Sequence, residues 1–122
     1  MARNAKLEDR VMDYAARCVR VCEALPVRRI GSSSFSDQLF RSFTSVAANY
    51  SEATQSESRK DFIHKLKITL KELNESRTWL RIIGAAQYLK MESLTTLVQE
   101  SDELIRILSA SVITAKRGLQ SQ

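Results

Sequence analysis

Three sets of side chains in this sequence could do chemistry. The first is a row of cations: Lys60, His64, Lys67 and Lys71 follow one another at spacings of four, three and four, with Arg59 beside the first. On a helix turning ~100° per residue they form one continuous stripe. No acid falls within it, so the stripe offers only donors and positive charge, as a phosphate backbone requires. Charged residues also fill the solvated face of any bundle helix, and that plainer reading stands beside the first. The second set is Cys18 and Cys22, four apart. They read as buried thiols on one helix face, because free Cys packs as a small hydrophobe. A metal site would need further ligands, and His64 is the only histidine. The third set is the acids Glu72 and Glu75, which lie on an ordinary helix surface. No Glu-x-x-His pair accompanies them, and the three glycines stand apart at 31, 84 and 118, so no phosphate loop is present. A Ser-His-acid triad would have to use His64, which belongs to the outer face. We therefore expect no catalytic residues, no metal, no cofactor and no enzyme activity.

Long helices must position these residues. The chain has 122 residues, 43% hydrophobic and 27% charged, which suits one domain with a core. Three Gly and one Pro are too few for the turns of a sandwich or barrel. The first helix is predicted over about 6–25, where Leu7, Val11, Tyr14, Cys18, Val21 or Cys22, and Leu25 recur at helical spacing before Pro26. The second is predicted over about 34–54, opened by a capping box of Ser34 and Asp37. Its inner face is Phe35, Leu39, Ser42 or Phe43, Val46, Tyr50 and Ala53. The third is predicted over about 58–87, with Ser58 as N-cap and Asp61 in its first turn. Phe62, Leu66, Thr69 or Leu70, Leu73, Ser76, Leu80 and Ile83 mark its core face. Gly84 either admits a close helix contact or begins the fraying of the end. The fourth is predicted over about 92–116, from Leu94 to Ala115, with Gly118 as its stop. Four such helices with short connections imply an all-α, antiparallel up-down four-helix bundle.

Charge is spread unevenly. The chain carries +5, and the stretch from Arg59 to Lys90 alone carries +5, whereas Met91 to Ala115 carries −3. On the third helix Ile68, Trp79 and Ile82 fall outside the core arc, on a flank with no neighbour of its own. A helix apolar over so wide an arc meets a second partner, so this flank is a candidate subunit interface. Phe40, Phe43 and Ala47 give the second helix a similar extra stripe. No apolar run reaches the roughly 18 residues of a membrane span. The polar start, Met1 to Lys6, lacks a signal segment, so a cytoplasmic location without membrane association is expected.

The stretch Arg41-Ser42-Phe43-Thr44-Ser45-Val46-Ala47-Ala48-Asn49-Tyr50-Ser51-Glu52-Ala53 resembles the four-helix-bundle proteins encoded in intervening sequences of bacterial 23S ribosomal RNA genes. Arg41, Ser45, Val46, Asn49 and Glu52 fall on that family's second-helix pattern. Ser58 to Ile63, Leu70 to Glu75, and Gln87-Tyr88-Leu89 match its later elements. Tyr50-Ser51 replaces the family's Ile-Ala, and Ala53 replaces a Gly. The resemblance implies an up-down bundle and a ring-like homo-oligomer, a pentamer as in the related accessory proteins of diversity-generating retroelements. It points to RNA or reverse-transcriptase partners, while the family's own role is unsettled.

These readings converge on a non-enzymatic, homo-oligomeric bundle that binds structured RNA. Arg59, Lys60, His64, Lys67 and Lys71 are the expected nucleic-acid contacts, with Arg28 and Arg29 outlying. The rival is a protein-interaction adaptor whose charge only keeps it soluble. Asn49 and Glu52 are expected to make structural contacts, Asn49 to a neighbouring helix and Glu52 to an Arg.

Overall fold

The computed structural model describes residues 2–120. Four helices make it up: α1 (Ala2–Ala24), α2 (Ser32–Thr54), α3 (Arg59–Ala85) and α4 (Met91–Gln120). Each buries most of the stripe its periodicity predicts, with Leu7, Phe35, Phe62, Val98 and Ile105 only half-buried at its margins. Val11, Tyr14, Cys18 and Val21 of α1, with Leu25 just beyond its end, meet Leu39, Phe43, Val46, Tyr50 and Ala53 of α2 in one core. Leu66, Leu73, Leu80 and Ile83 of α3 join Leu94, Leu97, Leu104 and Leu108 of α4 there. A fully buried Leu or Ile contributes about 2 kcal/mol, so this core dominates the stability.

Successive helices run in opposite directions. Arg41 of α2 pairs with Glu72 and Glu75 of α3, while Glu52 pairs with Lys65, so numbers rise on one helix as they fall on the other. Arg77 of α3 pairs with Asp102 of α4, and Arg10 of α1 with Glu100 of α4. The bundle is the all-α arrangement read from the sequence.

At its centre four fully buried hydroxyls, one from each helix, lie in two pairs: Tyr14 with Ser101 and Ser42 with Ser76. Tyr14 Oη lies 2.7 Å from Ser101 Oγ, and Ser76 Oγ lies 2.9 Å from Ser42 Oγ. A buried hydroxyl without a partner costs roughly 1–3 kcal/mol, and the three serines also reach carbonyls of their own helices, at Leu39, Glu72 and Leu97. Burial drives the Tyr14 phenol well above its ordinary range and pushes the neighbouring Cys18 thiol up to about 12. Both stay protonated at neutral pH. Cys18 is buried and Cys22 half-buried, and both are free thiols.

The helix ends depart from expectation in several places. α1 begins at Ala2, and α2 begins at Ser32 rather than near 34. No capping box forms at Ser34 and Asp37. Gly31, at φ 87, reverses the chain earlier, and its carbonyl accepts the Phe35 N–H at 2.8 Å. Ser58 does cap α3, accepting the Asp61 N–H at 3.0 Å. Gly84 makes the close contact: a Cβ there would lie 2.6 Å from Met91 Cε. α4 passes through Gly118, where the Arg59 guanidinium occupies the space a side chain would fill. α3 ends through Gln87, a non-glycine at φ 62. The Gln87 N–H donates to Gly84 O and the Tyr88 N–H to Ile83 O, both at 3.0 Å, which is a Schellman closure. Arg29 then fastens the two connections at this end. It donates to the Ala86 and Gln87 carbonyls at 3.0 and 2.9 Å, with its guanidinium 3.6 Å over the Tyr88 ring. Arg29 is therefore a structural clamp rather than the outlying phosphate contact expected of it.

Candidate nucleic-acid interface

The opposite faces of α3 have different surroundings. Lys65 and Lys67 are two residues apart, about 200° around the helix. Lys65 turns to α2 and donates to Glu52 at 2.6 Å. Lys67 turns away, toward α4.

The α2-facing side is a seam of paired charge. Arg41 reaches Glu72 at 3.4 Å and also bonds Glu75. The residues matching the family pattern, Arg41, Ser45, Asn49 and Glu52, follow at spacings of four, four and three along this edge of α2. Asn49 donates to the Ser45 carbonyl at 2.9 Å and lies 3.0 Å from Ser45 Oγ. Two expectations are corrected: Asn49 bonds its own helix rather than a neighbour, and Glu52 pairs with a Lys rather than an Arg. The α-helical i, i−4 carbonyl is simply the acceptor within reach of a short amide.

The outward side carries the cation row. Lys60, His64, Lys67 and Lys71 are exposed along one line, with Arg59 exposed at its start. No ion pair joins these five to a carboxylate among the described residues. The antiparallel register brings α4's last turns alongside, where Lys116 meets Lys67. That second ammonium holds the Lys116 pKa below its usual value. Lys116 extends the positive surface onto a second helix. The sequence reading missed it, assigning Lys116 to the helix end alone; the signal was the +2 at 116–117 set against the register of two antiparallel helices.

The apolar flank divides. Ile82 is 37% exposed and Phe40 51%, whereas Ile68 and Trp79 are half-buried. The Trp79 ring sits 6.0 Å from Phe35, and its Nε1 donates to Glu75 at 3.4 Å. Phe43 is 1% exposed and belongs to the bundle core, not to an outer stripe. It packs edge-on to Phe40 at 5.3 Å, so only the outer ring of that pair faces water.

Among the described residues no helix is long and apolar enough to cross a membrane, and no three His, Cys, Asp or Glu side chains gather as metal ligands.

Comparison with known proteins places this geometry in a family. A protein of unknown function from the S23 ribosomal protein family of Bacteroides thetaiotaomicron has a similar crystal structure, with a TM-score of 0.76 and 32% identity. The similarity covers 87% of this chain and 97% of that one. No curated protein matches. The family model for the 23S rRNA-intervening sequence protein matches residues 3–110. The four helices, the seam at Arg41 to Glu52 and this match together make the chain a member of the 23S rRNA-intervening sequence protein family.

Proposed function

We propose that this protein is a non-enzymatic bundle that binds structured RNA through the outer face of α3 and the end of α4, as a homo-oligomer in the cytoplasm. One observation carries the reading: Arg59, Lys60, His64, Lys67 and Lys71 form an exposed row without carboxylate partners among the described residues, and Lys116 adds to it. Elsewhere Arg10, Arg41, Lys65, Arg77 and Arg106 are all held by acids. Cations left unpaired side by side repel one another, and a polyanion relieves that repulsion. Repetition of the face in an oligomer multiplies weak contacts into avidity. A filter-binding titration tests this. Affinity falls steeply with salt, by roughly one unit of log–log slope per phosphate contact. No RNA retention at low salt, or retention independent of salt, overturns the reading.

The exposure of Ile82 and Phe40 favours a second reading, a protein-interaction adaptor. It also supports self-association, up to the pentamer implied by the family resemblance. Light scattering decides the mass. Ile82→Glu is the cleaner probe of the flank, because Trp79 also supports Phe35. A complex of unchanged mass in that variant removes the flank from the interface. Partner capture that survives reversal of Lys60, Lys67 and Lys71, with RNA never retained, favours the adaptor.

A further inference from the structure

At the end of the bundle that bears Arg59, α1 and α4 part. They are joined by Arg10 to Glu100, Tyr14 to Ser101 and Arg17 to Thr96. Nearer its start, α1 meets α2 instead, where Thr54 lies 3.2 Å from a Glu8 carboxylate oxygen. The gap is a cleft of about 990 Å³. Leu7, Phe62 and Ile107 give it apolar and aromatic walls, and the hydroxyls of Thr54, Ser111 and Thr114 line it as well.

Its edges differ in charge. On one edge Arg10 and Arg106 are tied to Glu100 and Glu103. On the other, Lys6 and Arg59 are exposed, with no carboxylate paired to them among the described residues. Glu57, exposed on the α2–α3 turn, also lines the mouth. A ligand for such a site combines a flat apolar body, polar edges and an anionic group. A nucleotide has all three: the base stacks on an aromatic ring, its edge bonds hydroxyls, and its phosphate meets cations. Arg59 belongs both to this cleft and to the cation row, so a strand lying along α3 reaches the cleft without leaving the protein.

We propose that the α1–α4 cleft receives one unpaired nucleotide of the bound RNA, with its base against Phe62 and its phosphate at Arg59 and Lys6. The inference rests on the RNA-binding reading and narrows its substrate to RNA with a bulged or looped-out base. A fully paired stem keeps its bases stacked and offers nothing to the cleft.

The test measures anisotropy of two labelled hairpins with the same stem, one carrying a single-nucleotide bulge. The full chain is expected to hold the bulged hairpin about tenfold more tightly, the scale of one base–aromatic stack. Ala110→Trp fills the cleft from an exposed position and brings the bulged hairpin down to the paired one. Thr114→Trp does the same from the next turn, and serves if the first variant misfolds. Lys67→Glu weakens both hairpins equally. Equal affinity of the wild-type chain for the two hairpins, or a preference that survives filling, overturns the cleft and leaves RNA binding standing. Failure of both hairpins to bind overturns both proposals.

Discussion

The seam between α2 and α3 and the junction of α1 with α4 are built from similar residues and end differently. Along the first, Arg41, Ser42 and Glu52 meet Glu72, Glu75, Ser76 and Lys65 from near one end to near the other. Along the second, bonds gather in the middle, at Arg10, Tyr14 and Arg17, and a cleft opens below. α3 borders both regions. Its α2-facing charges are occupied in holding helices together, and its outward charges are not. Charge that is paired internally serves the fold, and charge left open is available to a ligand.

The comparison can be broken most forcefully on the open side. Reversal of Lys60, Lys67 and Lys71 to Glu is expected to weaken RNA binding by at least ~100-fold at low salt and to lower the salt slope by about three units. Because all three are exposed and have no carboxylate partner among the described residues, the melting temperature stays nearly unchanged, within the ~0.5 kcal/mol of a typical surface change at each site. The seam gives the opposite pattern. Arg41→Ala leaves RNA binding unchanged and lowers stability by about 1–2 kcal/mol in urea unfolding, since Glu72 is left buried without its cation. Equal effects of the two variants on RNA would erase the distinction. Tyr14→Phe is expected to cost about 1 kcal/mol, because Ser101 retains the Leu97 carbonyl at 3.1 Å.

Two finer tests leave the seams and probe the interior and one turn. The Cys18 thiol is held above its ordinary value of 9.0 by burial, up to about 12. Its contribution to stability is complete below pH 9, where both states are protonated. It is lost as pH rises from 9 through 12, because the unfolded chain ionises first. Urea midpoints are therefore expected to fall more steeply above pH 9 in the wild type than in Cys18→Ala. Gln87→Gly relieves a left-handed side chain and is expected to raise stability by about 0.5 kcal/mol, read in the same titration.

The four helices and their buried faces were legible because apolar residues repeat at helical spacing with little interruption. The ends were less so. Gly31 starts α2 through a positive φ, and Gly118 sits inside α4 because Arg59 needs room there. Neither choice is visible to a rule that treats glycine as a stop. Phe40 and Phe43 lie close on a helical wheel, and only the packed neighbour shows which ring turns in. The row from Lys60 to Lys71 was readable as local spacing. Lys116 was not, since its approach to Lys67 depends on the register of two helices far apart in sequence. The same dependence hid the acids that hold Arg41 and the Lys that holds Glu52.

The four interior oxygens act as a ruler for the surface. Sliding α3 by one turn, about 5.4 Å, would set Leu73 or Leu80 against Ser42 and break the Ser76–Ser42 bond, leaving each hydroxyl only the carbonyl of its own helix, Leu39 for Ser42 and Glu72 for Ser76. That bond, with the core around it, favours the lengthwise setting in which Lys67 stands where Lys116 can reach it. The spacing that an RNA would read on the outside is thereby tied to oxygen atoms it never touches.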